Sequence, residues 1–492
     1  MESQLPALQI VLPLASAPLC VLLRQRRLVY LFCLAVSWST FGIAVAQLIG
    51  VLQRGTVSYA MGGWIAPWGI EYRIDPLGAF MLLFVSFIGA LVLTYAPVSL
   101  RREIPRDRHY LFLAAYMLCL TGLLGICITG DLFNLFVFLE ISALSSYVLI
   151  SLGDDRRALT ASFRYLVMGT IGATFILIGI GLMYAMTGTL NMADMAVQIR
   201  PLLQSRTVLA AFGFLSIGIA LKMAFFPLHA WLPNAYTFAP SVVTAFLAAT
   251  ATKVSVYILL RITLTVYGAT TAPEVVRLDA MLLPVALVGI FVTSTVAIFQ
   301  RNLKRLLAYS SVAQIGYMVI GISLASVTGL TAGIVHIFNH ALMKGGLFLA
   351  TGAIVLRLGS SQIDDIRGLG RQMPWTMAAW VVGGLGLIGV PLTVGFISKW
   401  YLILGLLEAG MWPVAALLLV SSLLAVVYVW RVVEEAYFHA PPEDRPTVRE
   451  APLSMLIPTW ILIGATVFFG IFTQWSAGIA SRAASLLLGV TP

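Results

Sequence analysis

Apolar stretches about as long as a bilayer is thick recur along the whole chain, and they restrict its possible folds more than any other feature. A hydrocarbon core of about 30 Å requires roughly 20 consecutive apolar residues in each helix. Of the 492 residues, 60% are hydrophobic and 10% are charged, whereas a soluble domain carries about 25% charged residues. The sequence therefore predicts an all-α polytopic membrane protein and excludes a soluble globular fold.

Fourteen spans are predicted from these runs. They lie at residues 6–22, 28–52, 77–97, 109–129, 131–152, 163–187, 207–235, 241–267, 279–299, 305–324, 328–356, 375–407, 411–433 and 453–473. The first run has the length of a signal peptide but lacks a basic segment before it, so we interpret it as an uncleaved first span.

Basic residues in the connections indicate the orientation of these spans. If the first loop is cytoplasmic, every basic cluster lies in a cytoplasmic loop: Arg24, Arg26 and Arg27; Arg101, Arg102, Arg106 and Arg108; Arg156 and Arg157; Arg301, Lys304 and Arg305; Arg367 and Arg371; and Arg431, Arg445 and Arg449. The opposite loops carry only scattered arginines. The positive-inside rule therefore predicts a multi-pass protein of the bacterial cytoplasmic membrane with both termini outside, and it explains the net charge of +10 without nucleic acid.

Two predicted spans are unusually long and contain prolines. Residues 207–235 include Pro227 and Pro233, and residues 375–407 include Pro391 between glycines. Because proline removes a backbone donor and clashes with the preceding turn, both helices are expected to be broken.

Broken helices five spans apart predict two inverted five-helix repeats. They divide the chain into a three-helix segment at 1–108, a first repeat at 109–267, a second repeat at 279–433, and a C-terminal helix with a short tail at 453–492.

Ionisable residues inside the apolar runs are the candidate functional residues. A charge at the bilayer centre costs about 2.5 to 3.5 kcal/mol on insertion scales, so such residues mark ion or proton pathways. The set comprises Glu140, Lys222, Lys253, His336, His340, Lys344 and Lys399. The two histidines and Lys344 have i, i+4, i+8 spacing, which predicts one stripe of about 12 Å on a helix.

Such a row can relay protons because each group's proton affinity depends on its neighbours' charges. Movement of Glu140 relative to Lys222 would load or unload the lysine, and the histidines suit a central relay because they titrate near neutral pH. Serine, threonine and asparagine residues near these groups are expected to hold bridging waters. A single buried Lys or Glu can instead form a structural ion pair, and Lys344 is the member to which this alternative applies most.

Several other residues favour structural roles. His229 beside Pro227 is expected to contact the broken helix, and Asp75 before Pro76 is expected to cap a helix. Arg164, Arg261 and Arg357 lie near span ends and are expected to extend their side chains to the interface. The GxGxxG pattern at 384–389 lies inside an apolar span, so helix packing explains it better than nucleotide binding. The four cysteines form no CxxC pair, and no metal, redox centre or other cofactor is expected on this chain.

Three sequence blocks resemble the antiporter-like subunits of respiratory complex I, membrane-bound hydrogenases and Mrp cation/proton antiporters. They are KMAFFPLHAWLPNAYTFAPSVVTAFLAATATKVSVYILLR at 222–261, RNLKRLLAYSSVAQIGYM at 301–318 and HIFNHALMKGGLF at 336–348. The segment GDLFNLFVFLEISALSSYVLI at 130–150 most resembles the D-type subunit of Mrp antiporters. The resemblance implies fourteen helices, repeats across helices 4–8 and 9–13, and a hydrated axis at mid-membrane.

Residue roles also follow from the resemblance. It assigns the coupling glutamate to Glu140, the broken-helix lysine to Lys222, the connecting lysine to Lys253, the central histidines to His336 and His340, and the exit lysine to Lys399. Asn234 and Asn302 depart from the family pattern at span ends, which concerns the cytoplasmic access and not the axis.

Three functions remain open at this point. The first is a proton-translocating subunit of a multisubunit Na⁺/H⁺ antiporter, and the second is a proton-pumping subunit of an NADH:quinone oxidoreductase or hydrogenase-type complex. The third is a subunit that energises uptake of another solute, such as inorganic carbon. All three imply other membrane subunits as partners, and the conducting residues would be the same in each.

Overall fold

The computed structural model describes residues 4–268, 277–443 and 445–490. Within these ranges the chain is helical, with one small β-hairpin. The helices are α1 (Leu5–Leu23), α2 (Arg26–Arg54), α3 (Pro76–Glu103), α4 (His109–Ile128), α5 (Leu132–Ser151), α6 (Arg156–Thr187), α7 (Met192–Gln198), α8 (Arg206–Lys222), α9 (Leu232–Phe238), α10 (Ser241–Ala249), α11 (Ala251–Leu260), α12 (Leu278–Ile298), α13 (Leu303–Ser323), α14 (Val327–Leu358), α15 (Leu369–Gln372), α16 (Pro374–Ile388), α17 (Val394–Glu408), α18 (Trp412–Tyr437), α19 (Leu453–Ile471) and α20 (Gln474–Leu488). A π-helical turn, Arg261–Val266, continues α11.

The described residues contain 12 helical segments long and apolar enough to cross a membrane, with Ser241–Val266 counted as one segment. The prediction of a polytopic helical membrane protein is therefore confirmed, and so are its two broken helices. The first break separates α8 from α9, and the second separates α16 from α17. Because each half is shorter than a full span, the count of fourteen stays a prediction. The division into two inverted repeats also stays a prediction.

Helix starts follow the capping chemistry of the sequence. Asp75 caps α3 by accepting a hydrogen bond from the Gly78 backbone N at 2.8 Å, with Pro76 as the first helical residue. Asp131, Asp155, Asn302 and Ser326 cap their helices in the same way. Each cap satisfies a backbone donor that the first helical turn leaves without a partner. The cap predicted at Asp75 is confirmed.

Helix α14 lies at the centre of the bundle. It packs against α10, α13, α16, α17, α19 and α20, and its residues from Gly329 to Ile354 are buried. A helix of 32 residues is about 48 Å long, enough to cross the bilayer with a tilt. The stripe of ionisable residues on α14 is therefore enclosed by protein on all sides.

The glycines of the GxGxxG pattern serve helix packing. A Cβ at Gly384 would lie 2.8 Å from a Val429 methyl carbon, and one at Gly386 would lie 2.9 Å from the Met343 sulfur. Gly389 has a positive φ of 89° and ends α16. The pattern therefore brings neighbouring helices close together and ends α16 at the second break.

A β-hairpin and the last helix are among the elements that lie outside the predicted spans. Strands β1 (Val57–Ala60) and β2 (Glu71–Ile74) form an antiparallel hairpin between α2 and α3, with Val57 paired to Ile74. The Glu71 side chain accepts hydrogen bonds from Ser58 at 2.5 Å and from Asn191 at 2.9 Å. At the other end of the chain, α20 follows the last predicted span and packs against α3 and α14.

Candidate functional site

The first broken helix brings Glu140 and Lys222 together. Lys222 is the last residue of α8, and Ala224 just beyond it has a left-handed φ of 56°. Lys222 Nζ donates to Glu140 Oε1 at 3.0 Å, and Glu140 lies in the middle of α5. The lysine side chain is 5% exposed and the glutamate side chain 25%. The pair therefore joins a buried amine to a carboxylate at the edge of the bundle.

The break itself is held by side chains from its own segment. Trp231 Nε1 donates to the Leu221 carbonyl at 3.0 Å, which satisfies a backbone acceptor at the end of α8. The ring of His229 stacks on Phe226, with 5.5 Å between ring centroids. This contact agrees with the predicted packing role of His229 at the broken helix.

Lys253 lies one turn after a further helix break, between α10 and α11, which was not predicted from the sequence. The backbone leaves helical geometry at Thr250, with φ −121° and ψ −62°, and this separates α10 from α11. Lys253 Nζ donates to the Ala248 carbonyl and to Thr252 Oγ1, the latter at 3.3 Å. The continuous helix predicted at 241–267 is therefore divided at Thr250. The break frees the Ala248 carbonyl, which accepts a hydrogen bond from the fully buried Lys253.

The stripe on α14 consists of His336, His340 and Lys344. His336 Nδ1 is 2.7 Å from Ser398 Oγ, and the two imidazole rings stack with 5.9 Å between centroids. Lys344 Nζ donates to the Leu307 carbonyl at 2.8 Å and to Ser310 Oγ. All three residues are at most 3% exposed, so the stripe faces the protein and not the lipid.

Lys399 is held by the second broken helix. It lies on α17, and its Nζ donates to the Leu387 and Ile388 carbonyls at 3.2 and 2.7 Å. These carbonyls belong to the last turn of α16, where the helix dipole favours a cation. Ser422 Oγ accepts a third hydrogen bond at 2.9 Å, and the Tyr317 ring lies beneath the amine at 5.2 Å.

Helix packing gathers these groups into a row. Helix α14 carries the two histidines and Lys344, and it packs against α11, which carries Lys253, and against α17, which carries Lys399. The structure thus brings together Lys253, the histidines, Lys344 and Lys399, with Glu140 and Lys222 on the neighbouring helices α5 and α8. Helix α8 packs directly against α11, which carries Lys253.

Several polar atoms along the row have no hydrogen-bond partner among the described residues. They are both ring nitrogens of His340, Nε2 of His336 and Oδ1 of Asn339. Buried polar groups without a protein partner are normally bound by ordered water. Apart from the Glu140–Lys222 pair, the described members of the row are not hydrogen-bonded to one another. Water is therefore the expected connection between them.

One sequence prediction about a charged residue is wrong, and the burial of a second charged residue was not predicted. Arg261 does not extend to the interface, because its Nη1 and Nη2 bind Asp75 at 2.6 and 2.5 Å inside the bundle. Tyr257 Oη accepts a further bond from Arg261 Nε at 2.8 Å. Lys304, predicted in a cytoplasmic connection, lies in the first turn of α13 and is 5% exposed. Both Arg261 and Lys304 pair with a carboxylate that is distant in the sequence.

Comparisons with known proteins identify the family. Residues 129–425 match the family described as NADH:quinone oxidoreductase/Mrp antiporter, TM. The NADH-quinone oxidoreductase subunit N of Desulforudis audaxviator (strain MP104C) is 44% identical over 490 residues, covering 96% of this chain and 97% of that protein. The D-type subunit of the Na(+)/H(+) antiporter of Bacillus subtilis (strain 168) is 28% identical over 486 residues, covering 98% and 96%.

A solved structure has the same fold over nearly the whole length. A chain of the Mrp complex from Dietzia sp. DQ12-45-1b superposes with a TM-score of 0.90 at 26% identity, covering 99% of this chain and 97% of that chain. The resemblance found in the sequence is confirmed by the family match and by these relatives. This chain therefore belongs to the NADH:quinone oxidoreductase/Mrp antiporter family and is one of its multi-pass, antiporter-like, proton-translocating subunits.

Proposed function

We propose that this chain relays protons through the membrane along Glu140, Lys222, Lys253, the two histidines, Lys344 and Lys399. The observation that carries the proposal is the 3.0 Å ion pair between Glu140 and Lys222 at a broken helix, beside a row of buried ionisable groups. The likeness of this chain to a chain of the Mrp complex supports a place within a multisubunit membrane complex. We place that complex in the bacterial cytoplasmic membrane, with both termini of this chain outside.

The relay works through the charge state of the first pair. With Glu140 ionised at 3.0 Å, the ammonium form of Lys222 is stabilised by a direct charge contact. If Glu140 moves away, the buried amine loses its counter-charge and can pass its proton inward through water to Lys253. Glu140 is the more exposed partner, so a neighbouring subunit can reach it and move or neutralise it, which removes the counter-charge of the buried lysine.

The inner lysines respond to their neighbours because their hydrogen-bond acceptors are neutral. Lys253 and Lys344 are held by carbonyls and hydroxyls, and Lys399 by two carbonyls and Ser422. Among the described residues, no carboxylate forms an ion pair with these three amines. A proton arriving at one lysine therefore repels the proton on the next, which drives transfer along the row.

The finer proposal is exchange of protons for Na⁺ or a similar monovalent cation. It is supported by the likeness, over 98% of this chain, to the D-type subunit of a Na(+)/H(+) antiporter. A second candidate is a proton pump driven by quinone reduction, and the 44% identity to an NADH-quinone oxidoreductase subunit N favours it. The same relay serves both candidates, because the driving reaction takes place on other chains.

Proteoliposomes containing the purified native complex distinguish the two candidates. Proton flux that follows an imposed Na⁺ gradient and is indifferent to NADH and quinone supports the antiporter. Flux that requires NADH and quinone supports the redox-driven pump and overturns Na⁺/H⁺ exchange. The absence of proton flux under both conditions would overturn the proposed function itself.

A further inference from the structure

Lysine is used in this chain only at buried positions. The sequence contains five lysines among its 30 basic residues. Each lysine is at most 8% exposed: Lys222, Lys253, Lys304, Lys344 and Lys399. Arginine remains protonated in proteins, whereas a buried lysine can gain and lose a proton. Four of the five belong to the proposed relay, which leaves Lys304 as the one buried lysine without an assigned role.

Lys304 forms an ion pair that repeats the arrangement of Lys222 and Glu140. Its Nζ lies 3.9 Å from Glu103 Oε2 and donates to the Ala239 carbonyl at 3.0 Å. The lysine side chain is 6% exposed and the glutamate 17%, against 5% and 25% in the first pair. In both pairs a buried amine faces a more accessible carboxylate.

Glu103 and Lys304 line a cavity of about 340 Å³ that reaches the protein surface. The cavity lies where α3, α9, α13 and α14 end or begin, and its outer wall includes the exposed side chains of Arg102, Asp154 and Arg157. This is the face that carries the loops predicted to be cytoplasmic. A volume of this size holds about ten water molecules, since each occupies about 30 Å³ of liquid.

A short path leads from this cavity to the relay. Lys304 and Leu307 are separated by three residues on α13, a rise of about 4.5 Å. The Leu307 carbonyl holds the amine of Lys344, with Ser310 as the other acceptor. Helix α14, which carries Lys344, packs in turn against α11, which carries Lys253. Along the axis of α13, Lys304 in the cavity wall therefore lies about one helical turn from the carbonyl that holds Lys344.

We propose that this cavity is the intake of the relay and that Glu103 and Lys304 form the pair through which protons enter it from the cavity. The Lys304 ammonium first passes its proton to the neutral amine of Lys344. A hydronium ion in the cavity then protonates the Glu103 carboxylate and becomes water, and the Glu103 carboxylic acid gives that proton to the Lys304 amine, which restores the ion pair. The inference rests on the proposed proton relay, and it assigns Lys344 a conducting role instead of a structural one.

Glu103→Gln is the first test because it removes the titratable carboxylate and keeps the size of the side chain. The Ser241 backbone N and Oγ donate to Glu103 Oε2 at 2.7 and 2.9 Å, and a glutamine oxygen can accept the same bonds. We expect Glu103→Gln to assemble normally and to reduce proton flux of the native complex in proteoliposomes by about a hundredfold, as for a lost proton-transfer group. Glu443→Gln, an exposed charge change on the same face, is expected to leave flux unchanged.

Thiol labelling tests the cavity independently of these charges. Ser360 lines the cavity, whereas Glu443 lies outside its lining. Arg445, close to Glu443, donates a hydrogen bond to the Asp365 carbonyl at 2.7 Å. Asp365 lies in the same connection as Ser360, so Ser360 and Glu443 lie on the same face of the protein. The four native cysteines are buried and serve as the unlabelled background. A charged, membrane-impermeant methanethiosulfonate reagent is expected to reduce flux at least about tenfold in Ser360→Cys and to leave the labelled Glu443→Cys unaffected.

The outcomes separate this inference from the proposed function. Flux that is lost in Lys222→Ala but unchanged in Glu103→Gln and in labelled Ser360→Cys would overturn the intake and leave the relay standing. Flux that is absent in the native complex, or retained in Lys222→Ala, would overturn both. Loss of flux in all three variants, with assembled complexes, supports both.

Discussion

Replacing Asp75 by asparagine measures how much the buried ion pair with Arg261 stabilises the bundle. The two side chains form two hydrogen bonds, at 2.5 and 2.6 Å, and are 9% and 8% exposed. Asparagine is as good a helix cap as aspartate, so the bond from Gly78 is retained and only the charge is removed. Because the substitution leaves the guanidinium buried and unpaired, we expect a cost of about 3 to 5 kcal/mol in unfolding free energy.

Asp155→Asn is the matched control. Asp155 also caps a helix and pairs with an arginine, but Arg157 and Asp155 are 72% and 38% exposed. Such a pair contributes about 0 to 1 kcal/mol. The assay is the temperature at which the purified complex loses half of its assembled form in detergent. The double variant Asp75→Asn/Arg261→Gln should lose less stability than the two single variants lose together, since it leaves neither charge without its partner. Equal melting of Asp75→Asn and Asp155→Asn would refute the reasoning.

Two further predictions concern the second broken helix. Ser422→Ala removes one of the three acceptors of Lys399, and we expect proton flux to fall about tenfold, since a hydrogen bond to a charged group contributes about 1.5 to 3 kcal/mol; unchanged flux would contradict this. In Gly395→Ala the added Cβ would overlap the Gly386 carbonyl oxygen. Such overpacking costs about 1 to 3 kcal/mol of stability, so the complex should lose its assembled form at a lower temperature. Gly181→Ala, with no atom within 4 Å, is the control, and greater damage there would contradict the packing argument.

Features encoded locally can be predicted from the sequence. The last span is predicted at 453–473 and is Leu453–Ile471, because the length of an apolar run sets the length of a helix. Both broken helices follow from prolines inside long runs. Depth in those runs identifies the candidate relay residues, and the structure gathers them in the interior; their roles remain a proposal.

Features that depend on distant contacts were missed. The break at Thr250 has no proline or glycine beside it, and the freed Ala248 carbonyl is occupied by Lys253. The sequence puts Arg261 at the interface because its partner Asp75 lies 186 residues away. The predicted topology does put both residues at the outer ends of their spans, and that shared depth is the signal that could have revealed the pair.

The burial of Lys304 was not predicted for the same kind of reason. It stands in a run with Arg301 and Arg305, so the sequence resembles an orientation signal. Burial of its side chain depends on Glu103 and on the Ala239 carbonyl, which come from α3 and from the end of α9. The absence of lysine from every other loop is the sequence signal that could have separated it from the arginines.

In the proposed relay the amine of Lys222, paired with Glu140, carries protons. Proton flux in proteoliposomes that contain the complex with Lys222→Ala is the decisive measurement. The exposed Arg206 at the start of the same helix supplies the control, Arg206→Ala. We expect Lys222→Ala and Glu140→Ala each to assemble but to abolish proton flux, and Arg206→Ala to conduct like the unaltered complex. Assembled Lys222→Ala and Glu140→Ala complexes that both conduct at the unaltered rate would contradict the proposed relay.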